Sequence, residues 1–268
     1  MKTQQIQEPV MDKALIRRSF EQAASHYNQF TSLQRTIGDR LMNNHVSLSG
    51  EEASVLDIGA GTGYLTNKIL KVMPPANVVA LDLSVGMLNQ TRANLIQERL
   101  GFVAADADKL SIRQASMDKV FSNLAFQWCS DLSVTFKESY GALKPKGQFV
   151  FATFGPNTLC ELKESWLSAD THTHVNNFID HKTIERNLKT AGFTDVIVKT
   201  EEIVLYYHSP KQLMLDLKGM GAHNINSDRQ HGLTGVGAYK EMIGSYEKLR
   251  TKEGIPATFE AIYAYANK

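Results

Sequence analysis

The sequence predicts an α/β fold, a mostly parallel sheet with helices packed on it. Three observations carry this. Short apolar runs recur at Ser54–Ile58, Asn77–Asp82, Gly101–Ala104, Lys119–Ser122 and Gln148–Thr153. Stretches of helical spacing lie between several of them, and a glycine-rich turn follows the first run directly. Strands that alternate with helices need crossover connections, and these keep neighbouring strands parallel.

The elements follow in order. From Asp12 to about Asn44 the chain reads as helical: Ile16, Phe20, Ala23, Ala24 and Tyr27 recur on one face, and Leu33, Ile37 and Leu41 on a second helix. The polar stretch Val46–Ala53, with Gly50, is a natural boundary. Strand 54–58 then leads through glycines into a helix over 64–72, strand 77–82 into a helix over 85–99, and strand 101–104 follows. A helix over 132–143 separates strands 119–122 and 148–153. Thr194–Tyr207 and Ala257–Ala266 read as two further strands, with a long, partly helical insertion at 208–254 between them. The expected division is a helical lid at 1–45, a sheet domain at 46–207, the insertion at 208–254 and a last strand at 255–268.

Composition narrows the function classes. The chain has 268 residues, 43% of them hydrophobic, enough for one large core. Its 29 basic and 28 acidic residues leave a formal charge of +1, which gives no global reason to expect nucleic acid or an anionic membrane as partner. The opening MKTQQIQEPV lacks the apolar core of a signal peptide, and no apolar run is long enough to cross a bilayer. Cys129 and Cys160 form neither a metal-ligand spacing nor a disulfide framework; packing roles suit them better than nucleophilic ones, and a reducing cytoplasm is the expected location.

The most informative segment is Val55-Leu-Asp57-Ile-Gly59-Ala-Gly61-Thr-Gly63. A strand running through glycines into a helix brings backbone close to a ligand and aims a helix N-terminus at it. A dinucleotide fingerprint would place its third glycine where Tyr64 stands, so that reading fails. The G-x-G-x-G run behind Asp57 resembles the first motif of class I S-adenosylmethionine methyltransferases. The resemblance implies a Rossmann-like sheet with an antiparallel last strand, and a loop lying against the methionine part of S-adenosylmethionine with Asp57 near its amino group.

Further features fall in the order that resemblance requires. Asp82, followed by Leu83, ends the second strand, where a carboxylate can accept from both ribose hydroxyls. Asp106 and Ala107 follow the third strand and suit the adenine edge, Met87 its face, and Asn123 the pocket wall after the fourth strand. Each has a plainer alternative: Asp82 as a helix cap, Met87 as core, Asp108 in place of Asp106.

The resemblance then narrows. Phe20-Glu-Gln-Ala-Ala-Ser-His-Tyr27, Leu33-Gln-Arg35, Phe121-Ser-Asn-Leu-Ala-Phe-Gln-Trp-Cys129, Phe154-Gly-Pro-Asn-Thr-Leu159, His174-Val-Asn-Asn-Phe178, Leu217-Lys-Gly-Met-Gly-Ala-His-Asn224 and Gly232-Leu-Thr-Gly235 look like the malonyl-acyl-carrier-protein O-methyltransferase family of biotin synthesis. It spans nearly the whole chain, including the insertion, which generic methyltransferases do not share. It departs at Asn177, where the family commonly has Arg, and at Ala60, where it has Cys.

What the resemblance implies is methylation of the free carboxylate of a malonyl thioester, carried by an acidic acyl carrier protein or coenzyme A. The carboxylate is already a nucleophile at neutral pH, so alignment and exclusion of water suffice without metal or general base. Tyr27 is the expected lid residue, with packing against Phe20 and Phe30 as the alternative. Gln127 and Trp128 are expected to face the reaction space. His174, Asn176, Lys218, His223 and Asn224 are the candidates to hold the malonyl group, and Arg17, Arg18, Lys211, Lys218 and Arg229 to steer the carrier. A methyltransferase of another small carboxylate or amine, or a non-catalytic S-adenosylmethionine-binding protein, would share the sheet motifs but not the flanking segments.

Overall fold

The computed structural model describes residues 12–43, 53–73, 76–221 and 235–268. Two helices, α1 (Lys13–Ala23) and α2 (Ser32–Asn43), precede the sheet, joined through a 3₁₀ turn at Tyr27–Gln29. Asp12 starts α1 by accepting from the Ala14 and Leu15 amides. Then come β1 (Ser54–Ile58), α3 (Tyr64–Val72), β2 (Asn77–Asp82), α4 (Val85–Asn94), β3 (Leu100–Ala104), β4 (Met117–Asn123), α5 (Leu132–Ala142) and β5 (Leu143–Phe154). The chain ends with α6 (Cys160–Leu167), α7 (His181–Ala191), β6 (Thr194–Tyr207), α8 (Pro210–Gly219), α9 (Val236–Glu247) and β7 (Ile255–Asn267).

The seven strands form one sheet in the order β3-β2-β1-β4-β5-β7-β6. All neighbours pair parallel except β7, which runs antiparallel to both β5 and β6. This is the Rossmann-like arrangement with an antiparallel last strand. Burial of β1, β4 and β5 on both faces explains why their sequences read as continuous apolar runs rather than alternating ones. On one face a core forms around Ile37, Leu41, Ile69, Phe121 and Tyr246. On the other, Phe126, Phe136, Phe149 and Phe151 pack ring to ring, with centroids 4.9–6.0 Å apart.

The structure departs from the sequence reading in several places. The first helix ends at Ala23, so Ala24 and Tyr27, expected on its face, lie beyond it, Tyr27 in the 3₁₀ turn. The helix expected over 85–99 ends at Asn94, because Leu95 turns extended and the Arg99 carbonyl is recruited by the Val78 amide as pairing with β2 begins. Helices α6 and α7 fill the span between β5 and β6, which had no assigned element. α7 carries a clear signature in retrospect: Asp180 caps it through the Lys182 and Thr183 amides, and Gly192 closes it with φ 107°. Among the described residues no helix is long and apolar enough to cross a membrane.

Candidate active site

Strand order reverses between β1 and β4, and a crevice opens there at the carboxyl ends of the strands. The loop after β1 enters it. Gly59, Gly61 and Gly63 all have positive φ, 72°, 56° and 89°. The Gly59 and Ala60 amides both donate to the Leu81 carbonyl, so the end of β2 holds the turn in place. At Gly59 a Cβ would lie 2.2 Å from that of Ala125, and at Gly63 2.7 Å from Thr91 Cγ2 on α4. Gly63 therefore serves the packing of α3 against α4 and lines none of the cavities described next. A Cβ on Gly61 would look across 3.9 Å toward the Tyr27 ring.

Three cavities meet in the crevice, and Tyr27 lines all of them. A strand-end cavity is bordered by Gly59, Gly61, Asp82, Leu83 and Met87, and on its far side by Asp106, Ala107 and Asn123. A small loop cavity lies between α2 and residues Gly59–Thr62. The third, of about 380 Å³, is apolar and extends under α6 and α8; its polar rim includes Gln127, His174, Asn176 and Lys218. Trp128 borders both this cavity and the strand-end one, so the sequence candidates that fall on described residues gather around one junction apart from Asp57 and Gly63. His223 and Asn224, like Arg229, lie outside the described residues.

Two buried carboxylates dominate the electrostatics. Asp82 accepts from the Gly61 amide on Oδ2 and from the Ser84 amide on Oδ1, at 2.9 and 2.8 Å. Burial nevertheless pushes its pKa up to about 6. Asp57 accepts from the Thr66 hydroxyl on Oδ2 at 2.6 Å, while Oδ1 has no partner. Burial, reinforced by the charge of Asp82, pushes its pKa up to about 7. Neither is paired with a cation among the described residues. Such a pair disfavours its own ionisation and favours a ligand that brings hydroxyls or positive charge.

The helix α1 borders the strand-end cavity, held by contacts between residues far apart in the chain. Lys13 Nζ reaches Asp106 Oδ1 and Asp108 Oδ2, each at 2.8 Å. Glu21 Oε2 accepts from the Ser84 hydroxyl and the Gly86 amide at 2.7 and 3.0 Å, and those bonds lower its pKa. Phe20 meets Trp128 edge-on at 5.4 Å and Tyr27 at 6.4 Å. The charged residues are ordinary polar-face positions of an amphipathic helix, and only the fold reveals their partners. Asp106, expected to meet an adenine amino group, has its Oδ1 shared by Lys13 and the Asp108 amide.

In the apolar cavity, His174 Nε2 bonds Asp170 at 2.8 Å and the ring stacks on Trp166 with centroids 3.6 Å apart. Asn176 is 7% exposed, and its Oδ1 lacks a partner. Lys218 is exposed and marks the rim. The Gln127 amide is largely spent on the protein, donating to the Leu124 carbonyl at 2.8 Å and accepting from Thr153 at 3.4 Å. Asn177, where the resembled family has Arg, lines a neighbouring groove and not this cavity. The sequence reading did not single out Trp166, Leu162, Met214 or Phe259 as site residues; as plain apolar residues they carry no signal beyond burial.

Comparison with known proteins shows the family and the fold. Residues 56–151 match the family model described as a methyltransferase domain. A malonyl-[acyl-carrier protein] O-methyltransferase of Nitrosospira multiformis is 40% identical, the match covering 96% of this chain and 90% of that protein. One of Gallionella capsiferriformans is 36% identical over 97% and 92%. Among solved structures, a phosphoethanolamine N-methyltransferase of Haemonchus contortus in complex with S-adenosylmethionine superposes with a TM-score of 0.54 at 19% identity, covering 96% of this chain and 57% of that one. At that identity the likeness is one of fold.

Proposed function

The chain belongs to the malonyl-[acyl-carrier protein] O-methyltransferase family, and we propose on that premise that it methylates the free carboxylate of a malonyl thioester with S-adenosylmethionine, in biotin synthesis. The observation that carries the reading is the meeting of the strand-end and apolar cavities at Tyr27, one suited to a cofactor and the other to an acyl group.

The residues present fit S-adenosylmethionine. Each Asp82 oxygen uses one lone pair on a backbone amide and retains another for a ribose hydroxyl. Met87, 1% exposed, offers an apolar wall for adenine. The two uncompensated carboxylates suit a cationic ligand. When bound, the cofactor supplies a methyl group on a positively charged sulfur. The chain's own residues do the rest: Tyr27, Phe20 and Trp128 close the junction against water, and the rim at His174, Asn176 and Lys218 orients the malonyl carboxylate. No side chain has to take a proton, because a malonyl carboxyl with a pKa near ~4 is already ionised. The rate then comes from alignment and dehydration.

Two experiments test the reading. The gene should restore growth without biotin to a strain lacking this methyltransferase, and purified enzyme should methylate malonyl carrier protein but not free malonate. Equal turnover of free malonate would sink the thioester assignment.

Asp82→Ala is expected to weaken S-adenosylmethionine binding about ten- to 150-fold, the range for a lost charge-assisted hydrogen bond of ~1.5–3 kcal/mol. Calorimetry on the folded variant reads this directly; unchanged affinity would remove Asp82 from the site.

The acidic carrier is proposed to dock where α1 and α8 meet. Ser19 Oγ of α1 donates to the Gly221 carbonyl just beyond α8 at 3.0 Å, and Arg17, Arg18, Lys211 and Lys218, on these two helices, are exposed. Reversing two or three of these charges should raise KM for malonyl carrier protein more than for malonyl-coenzyme A. Added salt should slow the wild-type reaction at subsaturating carrier, since screening acts over about 8–10 Å near physiological strength. An equal effect on both substrates, or indifference to salt, rules out this surface.

A further inference from the structure

We propose that the apolar cavity is a branch pocket: it admits 2-alkylmalonyl thioesters, whose alkyl group lies inside it while carboxylate and thioester keep the places they have in the malonyl substrate. The inference rests on the function proposed above and widens its substrate class.

The cavity is larger than a malonyl group needs. It measures about 380 Å³ and meets the strand-end cavity at Tyr27 and Trp128. Pockets of ~300–1,000 Å³ hold whole drug-sized ligands, whereas a malonyl group is three carbons with one charged end. The walls suit apolar atoms, since Leu159, Leu162, Trp166, Met214, Leu217 and Phe259 line the space.

Several polar residues of the wall spend their groups on the protein. The Thr158 hydroxyl donates to the Glu260 carbonyl at 3.3 Å and accepts from the Glu260 amide at 3.1 Å. Gln34 Nε2 donates to Met220 Sδ at 2.7 Å, and Gln127 Nε2 to the Leu124 carbonyl at 2.8 Å. The pantetheine arm of a carrier brings amides, which such walls would leave short of partners. An alkyl branch brings no polar group.

Two leucines of the wall are held there against their backbone preference. Leu124 and Leu159 have φ of 54° and 57°, a region that residues with a side chain enter at a cost and glycine enters freely. Neighbouring strands pin both: the Leu124 amide donates to the Ala152 carbonyl of β5 at 2.8 Å, and the Leu159 amide to the Thr258 carbonyl of β7 at 2.6 Å. Both residues are buried and line the cavity. A leucine kept in such a conformation beside a ligand space is kept for its side chain.

A branch also fits the geometry of a tethered substrate. Carrier docking fixes the span from surface to junction, so added atoms must go sideways. A branch on the central carbon does this, whereas a longer straight diacid pushes the thioester outward. The chemistry is unchanged. A carboxylate oxygen bonds the methyl carbon, the sulfur–methyl bond breaks with its electron pair returning to sulfur, and no proton moves.

The test compares malonyl, butylmalonyl and glutaryl groups on the same acyl carrier protein. Butylmalonyl should be methylated with kcat/KM no more than about tenfold below malonyl, and glutaryl should be poorer than butylmalonyl. Met214→Trp, which fills the cavity from a half-buried position, should lower the butylmalonyl-to-malonyl ratio at least about tenfold; Leu162→Phe does the same from α6. Binding gives a readout without turnover, because both tryptophans of the chain, Trp128 and Trp166, line the cavity and their emission reports its filling. Without cofactor, butylmalonyl-coenzyme A should bind about ten- to 200-fold tighter than malonyl-coenzyme A, the gain for burying the butyl carbons. A larger loss of rate with butylmalonyl, a preference for glutaryl, a smaller gain in affinity, or a ratio indifferent to both filling variants overturns the proposal. If malonyl carrier protein is methylated and butylmalonyl is not, the pocket alone falls; if neither is methylated, the proposed function has failed and the pocket falls with it.

Discussion

Tyr27→Ala is expected to lower kcat/KM by about 100-fold or more, while costing only about 1–2 kcal/mol of stability. The side chain is half-buried and sits where the three cavities meet, its ring 3.9 Å from where a Cβ on Gly61 would lie and edge-on to Phe20 with centroids 6.4 Å apart. Removing it leaves the fold's main cores untouched, because none of their buried residues depends on it. It does join the space for cofactor to the space for acyl group, and admits water to a reaction whose barrier depends on a desolvated carboxylate. Tyr27→Phe separates ring from hydroxyl. Burial and the charge of Asp82 raise the hydroxyl's pKa, so it stays protonated throughout the working range and serves as a donor, never as a base. Phe should therefore retain most of the rate if closure is the main role. An alanine variant with wild-type turnover would make Tyr27 ordinary packing.

The sheet was readable because its chemistry is local. Buried parallel strands favour apolar runs, and Ser54–Ile58 and Asn77–Asp82 announce themselves as such, whereas the edge strand Thr194–Tyr207 shows the alternation of a half-exposed one. The Asp57-to-Gly63 turn was legible for the same reason, since positive φ at Gly59, Gly61 and Gly63 leaves few alternatives to glycine. The rest of the site is set by distant pairings. Lys13 meets Asp106 across 93 positions, and Glu21 meets Ser84 across 63. Nothing in α1 distinguishes those two charges from solvated ones. Gly63 shows the opposite limit: it belongs to the motif by spacing, but its neighbours are Thr91 of α4 and Leu95 just past that helix.

Asp57→Asn should stabilise the ligand-free protein at pH 8 by about 2–4 kcal/mol and leave it nearly unchanged at pH 4. In the folded chain burial raises Asp57 from 3.8 to about 7, and Asp82 from 3.8 to about 6. Between those limits the native state holds protons that the unfolded state has released, so stability falls as pH rises through roughly 4 to 7. Below pH 4 both states are protonated and no penalty exists; above pH 7 the penalty is fully in force, at about 1.4 kcal/mol per pKa unit. An amide at position 57 can still accept from Thr66, carries no charge to desolvate, and relieves Asp82 of a like-charged neighbour. Other carboxylates pull the opposite way, since ion pairs with Lys13, Lys68 and Lys144 keep Asp108, Asp39 and Asp118 below their ordinary range despite burial. The wild-type curve alone therefore mixes both signs, and the difference between variant and wild type isolates Asp57. Urea denaturation at the two pH values measures it. The same substitution should reduce the stabilisation that S-adenosylmethionine brings at pH 8, because a cationic ligand offsets a buried carboxylate only where one is present. A gap between the two proteins that does not change with pH would show that Asp57 is ionised without penalty, and would remove the charge argument for its part in the site.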